Sequence, residues 1–166
     1  MQVLHFFPFL FAAYLVFAIK KYGMSRSISS GYGRLVKAEQ LLPFMVMVLA
    51  IIIPFTVLGV QATHGKWLQL LWLAGSALLL LVAVFPVTKS GTLHEKLHVI
   101  GATGGMAFHL AAVIFTIPGL LPKLIAGVAI LFIATQTIKK LKLKLDNNTY
   151  WIEVAYGVAV WLALFI

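Results

Sequence analysis

The chain has 166 residues, 62% of them apolar and only 10% charged, with a formal net charge of +9 and no cysteine. Soluble domains run nearer half apolar and a quarter charged, so a water-soluble globule is excluded. Disulfides, thiolate metal sites and cysteine nucleophiles are excluded as well.

Six apolar stretches approach the roughly 20 residues that cross a bilayer core as a helix: about 3–19, 41–62, 67–87, 97–117, 122–138 and 149–166. A closed barrel would show alternating strands of about ten residues, and the sequence lacks them. The expected fold is therefore all-α, a single six-span transmembrane bundle over 1–166. Spans one and five are the shortest.

Span one has no basic region before it, and Lys20 and Lys21 follow it. That order predicts an uncleaved span with its N-terminus outside. The connection 20–40 is the long one, with five basic residues, four Ser and two Tyr. Its Arg26 and Arg34 could hold an anion such as a lipid phosphate, or the loop could simply be solvated at the headgroups. Span two contains Pro43 and Pro54, and Pro54 is deep enough to kink the helix and open a cavity. A tight turn over 63–66 leads to span three, with His64 exposed. After span five, the basic run 139–144 is expected to continue the helix into the cytoplasm. No internal repeat supports an inverted-repeat transporter.

Eleven of the thirteen basic residues lie in the connections after spans one, three and five, leaving Lys66 and Lys123 for the other two. The positive-inside rule places the first group in the cytoplasm and both termini outside. Charge divided among membrane-edge loops suits anionic lipid headgroups and argues against nucleic acid. The expected location is a bacterial inner membrane.

The fourth span opens at Thr92, and the pattern H-E-x-x-H follows at His94, Glu95 and His98. Thr92 and Glu95 fit a capping box, which accounts for Glu95 without a metal. At about 100° per residue, His94, His98, Gly101, Gly105 and His109 form one stripe. Gly101 and Gly105 make a G-x-x-x-G pattern, which lets another backbone approach closely. It could join two helices of one chain or two copies of the chain. The opposite side, with Ile100, Ala107, Leu110 and Ile114, suits lipid. His109 is expected near the bilayer midplane, where an ionisable residue is a functional candidate by default.

Glu153 is the one acid inside a span, about one turn into span six. If spans four and six are neighbours, His94, His98 and Glu153 could supply three zinc ligands and leave a fourth position for water. Glu153 could equally pair with Arg34, and Tyr150 or Tyr156 could donate to it. A metalloprotease would need Glu95 as general base, a task in competition with capping. A b-type haem between His5 and His109 is a further reading.

The Phe85–Pro86 pair, then His94, His98, Gly101 and Ala102, give a Phe-Pro … His-x-x-x-His-x-x-Gly-Ala pattern. It resembles six-span membrane proteins of bacteria and their phages whose role is uncharacterised. The stretches Ser27 to Tyr32 and Tyr150 to Glu153 share that resemblance, which covers about a third of the chain. It implies the six-span topology, points at His94, His98 and Glu153, leaves the residues between the histidines free, and brings no activity with it. Histidine-rich hydrolases of the ceramidase and adiponectin-receptor type are similar in placing His-x-x-x-His at a cytoplasmic edge. They have seven spans and intramembrane Asp, and here no span holds an Asp.

These readings converge on a cytoplasmic-side cavity between spans four and six, capped by the 20–40 loop, that binds a small or lipid ligand. The candidate ligand-binding residues are His109, Arg26, Arg34 and Tyr150. A zinc-dependent intramembrane hydrolase using His94, His98 and Glu153 is the alternative, and haem the second.

Overall fold

The computed structural model describes residues 6–22, 41–85, 92–143 and 148–165. These form six α-helices: α1 (Phe7–Tyr22), α2 (Leu41–Ala62), α3 (Lys66–Val84), α4 (Leu93–Thr116), α5 (Leu120–Leu143) and α6 (Asn148–Phe165). Four contain segments long and apolar enough to cross a membrane: Met45–Ala62, Lys66–Val84, Leu93–Thr116 and Leu120–Lys139. Pro8–Lys20 and Thr149–Phe165 are shorter apolar helices. The fifth helix is thus longer than its apolar run suggested, because the basic run continues it to Leu143. The short pair is the first and the sixth.

The helix ends follow from local chemistry. Gly65 (φ 117°) and Gly119 (φ 95°) take the left-handed backbone that other residues rarely adopt, and they turn the chain into α3 and α5. The last carbonyls of a helix lack intrahelical partners. At the end of α2, Gln69 of the next helix reaches back and donates to the carbonyls of Val60 and Thr63, both at 3.1 Å. At the start of α4 the Glu95 amide donates to Oγ1 of Thr92 at 3.2 Å, the expected cap. His64 is exposed in its turn, as expected.

Helices α2, α3, α4 and α6 surround the core. Helix α1 lies against α2, and α5 against α6 with a lighter contact to α4. The closest pairing is α3 with α4. Lipid is as apolar as leucine, so helices in it associate through close packing and hydrogen bonds. Glycine supplies the close packing here. A Cβ at Gly101 would stand 2.6 Å from the Leu78 carbonyl oxygen and 2.8 Å from Leu81 Cβ. One at Gly105 would stand 2.6 Å from Leu79 Cγ and 3.0 Å from the Gly75 carbonyl oxygen. The G-x-x-x-G face therefore joins α4 to α3 of the same chain.

Candidate functional site

The stripe on α4 is buried at His98, Gly101, Gly105 and His109. His98, Gly101 and Gly105 face α3 rather than the expected Glu153, and His109 reaches both α3 and Tyr156 on α6. His94 leaves the stripe: it is exposed, with its ring edge-to-face on Phe85 at 5.5 Å. Leu110, expected to meet lipid, is buried, while Ile100 and Ala107 of the same expected face are exposed.

His98 has a structural task. Its Nδ1 lies 2.9 Å from the carbonyl oxygen of Phe85, the residue that caps α3. A carbonyl only accepts, so Nδ1 carries the proton and donates. The bond ties the end of α3 to the start of α4. Among the described residues no group of three His, Cys, Asp or Glu side chains is placed to hold a metal ion. The set His94, His98 and Glu153 is thus not gathered: one histidine is exposed, the other is turned to α3, and Glu153 lines a cavity elsewhere. Glu95 sits in the first turn of α4, at the cap, away from any metal group.

His109 is fully buried and is the hub of a hydrogen-bonded chain that crosses four helices. Its Nε2 lies 3.1 Å from Oγ of Ser76 and 3.2 Å from the Trp72 carbonyl oxygen, both on α3. Its Nδ1 lies 2.6 Å from the Tyr156 hydroxyl on α6. Ser76 Oγ lies 2.5 Å from Oγ1 of Thr56 on α2, which also lies 2.7 Å from the Ile52 carbonyl oxygen. Donor capacity fixes the directions. The Trp72 carbonyl can only accept, so Nε2–H points toward it and Ser76, and Nδ1 accepts from Tyr156. Thr56 has one hydroxyl proton. Given to Ile52, it leaves Ser76 to donate to Thr56, and every hydroxyl and ring nitrogen in the chain is paired. The reversed chain would aim the Nε2 lone pair at a carbonyl and leave the Tyr156 proton without a partner among these groups.

Rings hold the hub in place. Trp72 lies 5.4 Å from the His109 ring, the Tyr156 ring lies nearly parallel beside it with centroids 6.2 Å apart, and Phe55 meets it edge-on at 5.7 Å. Trp72 Nε1 donates to the hydroxyls of Thr63 at 3.0 Å and Thr116 at 3.1 Å, which pins α3 to the ends of α2 and α4. Glycines make the room: a Cβ at Gly75 would overlap the His109 ring, and one at Gly59 the Trp72 ring. Both ring nitrogens of His109 are engaged, which leaves no lone pair for a haem iron. His5, its expected counterpart, lies outside the described residues.

Beside this hub is a partly open cavity of about 70 Å³. Phe11, Met47, Val48, Leu79, Val82 and Met106 supply most of its apolar wall, and Glu153 and Tyr156 are its polar members. Among the described residues no histidine lines it, and in place of the expected His/Glu site its wall is apolar apart from Glu153 and Tyr156. Tyr150, an expected ligand contact, is buried against Trp151 and is not part of the wall. Arg26, Arg34 and the 20–40 loop lie outside the described residues.

Sequence reasoning missed Ser76, Thr56 and Trp72. A signal was present: Trp72 and Ser76 lie four apart on one face of a span, flanking Gly75 by three and one. Comparison with protein-family models, curated proteins and solved structures finds no match for this chain.

Proposed function

We propose that this chain is a six-span protein of a bacterial inner membrane, with both termini outside, that binds the apolar part of a small molecule or lipid. Four long apolar helices and two shorter ones support the six spans, and the distribution of basic residues supports the orientation. The resemblance to six-span bacterial and phage membrane proteins points the same way. The cavity lined by Met47, Met106, Glu153 and Tyr156 carries the binding reading. Binding sites are typically apolar concavities with a few placed polar groups, often between the helices of a bundle. Methionine adapts to varied ligand shapes.

Native mass spectrometry of the purified full chain tests the reading. Bound lipid or hydrophobic additive should survive gentle activation, and Ala102→Phe, which fills the cavity from α4, should abolish it. Retention of equal amounts by that variant would overturn the proposal. Reporter fusions at the two ends test the orientation, and a cytoplasmic signal at either end would reverse that part.

A further inference from the structure

The buried hub holds more chemistry than packing requires. The Tyr156 hydroxyl stands 2.6 Å from Nδ1 of His109. The Trp72 carbonyl keeps the ring proton on Nε2, so Nδ1 is a bare lone pair aimed at a phenolic proton. A phenol is a weak acid until it loses an electron, and its radical cation is a strong one. Tyr156 is buried, so a charge left on its ring would be costly unless the proton departed with the electron. Nδ1 is placed to receive that proton across a single hydrogen bond. The imidazolium so formed has partners waiting. Its Nε2–H already lies 3.1 Å from Ser76 Oγ and 3.2 Å from the Trp72 carbonyl oxygen. The Trp72 ring, 5.4 Å away, is within the roughly 6 Å over which an aromatic face attracts a cation.

A path for the electron leads away from the pair. Phe55 lies 6.0 Å from the Tyr156 ring, Trp161 5.3 Å from Phe55, and Phe165 4.8 Å from Trp161. Phe165 is 37% exposed near the end of α6. Phenylalanine is far harder to oxidise than tryptophan or tyrosine, so Phe55 and Phe165 bridge the path and Trp161 is its stop. Nε1 of Trp161 is buried with no hydrogen-bond partner among the described residues. An oxidised indole there has no base for its proton, stays a buried cation and passes its oxidation on. Nε1 of Trp72 donates only to the hydroxyls of Thr63 and Thr116, which are poor bases. Of these three oxidisable rings, Tyr156 alone has a base in line with its proton.

We infer that Tyr156 and His109 form a proton-coupled redox pair: a one-electron, outer-sphere oxidant acting at the Phe165 end of α6 leaves its oxidising equivalent on Tyr156, with the proton held by His109. The oxidant takes an electron from Trp161, and Tyr156 restores it. As Tyr156 loses its electron, its O–H bond breaks and the Nδ1–H bond forms. The products are a neutral phenoxyl radical, a His109 imidazolium and the reduced oxidant. Re-reduction returns the proton along the same bond. The pair is independent of what the cavity binds.

Flash photolysis of the full chain in lipid nanodiscs tests this, with photo-oxidised ruthenium tris-bipyridine as the oxidant and electron paramagnetic resonance as the readout. A tyrosyl radical should form, and ring-deuterated tyrosine should narrow its spectrum. Electron–nuclear double resonance should find one exchangeable proton coupled to the phenoxyl oxygen, the proton now on Nδ1. Tyr156→Phe, which keeps the ring, should remove this species and leave longer-lived tryptophan radicals. His109→Gln offers an acceptor that takes up no proton and should slow its formation at least about tenfold. Trp161→Phe should slow it as well, and an unchanged rate there would overturn the route through Trp161. An unchanged spectrum in Tyr156→Phe, or an unchanged rate in His109→Gln, would overturn the pair. Where His109→Gln does not fold, the coupled proton in the unaltered chain decides, and its absence overturns the pair.

Discussion

Helices α3 and α5 are both long, apolar and able to cross a membrane, yet they relate to the bundle in opposite ways. α3 is clamped on α4 through Gly75, Gly101 and Gly105, and its Trp72 and Ser76 join a hydrogen-bonded chain. α5 lies at the edge, with Leu121, Leu124, Val128 and Leu131 more than half exposed. Only 17% of its span window is buried, against 33% for α3. Hydropathy does not distinguish these helices in kind. Small residues and hydroxyls do, because a leucine gains little by leaving lipid for protein.

The sharpest way to break the α3 side is Trp72→Ala. It removes a fully buried ring and frees the hydroxyls of Thr63 and Thr116 from their shared donor. A loss of about 3 kcal/mol or more is expected, read as unfolding at lower denaturant in detergent micelles. Gly75→Ala comes next. Its new methyl meets the His109 ring, which is held by Tyr156 and Ser76 and cannot step aside. Overpacking of this kind costs about 1–3 kcal/mol. A loss near zero would mean that the ring is not fixed, and the bond directions argued from it would fall with it.

The two histidines at the head of α4 give a finer test. His98→Ala removes the bond to the Phe85 carbonyl and should cost about 1 kcal/mol. His94→Ala, at an exposed position, should stay within about 0.5 kcal/mol. A shared metal would make the two losses equal and metal-dependent, so unequal losses that are indifferent to chelator separate a helix tie from a ligand pair.

The long helices and the Thr92 cap were legible because each follows from a local rule. The close approach at Gly101 and Gly105 was legible too, since G-x-x-x-G needs no knowledge of the partner. The partner itself was not: one stripe on α4 fits α3 or α6 equally well in sequence. The hydroxyl chain was hidden for a different reason. Thr103, Thr135 and Thr137 are exposed and donate to their own i−4 carbonyls. Thr56, Thr63 and Thr116 make the same bond while also joining the network. A threonine that can satisfy itself inside its helix gives no sign, in sequence, of a partner across the bundle.

The smallest effect belongs to α5 and closes the comparison. Gly127 lies in mid-helix, and a Cβ there would have nothing within 4 Å. With no clash to pay for, Gly127→Ala keeps only the backbone term, in which alanine is favoured over glycine by up to about 1 kcal/mol. The expected outcome is a stability unchanged or raised by less than about 1 kcal/mol in the same denaturant titration that registers a loss for Gly75→Ala. Opposite signs for one chemical change would locate the difference between the helices in what each glycine faces. A loss at Gly127 comparable to that at Gly75 would mean that α5 has a close neighbour on that face, and α5 would then join α3 among the packed helices of the bundle.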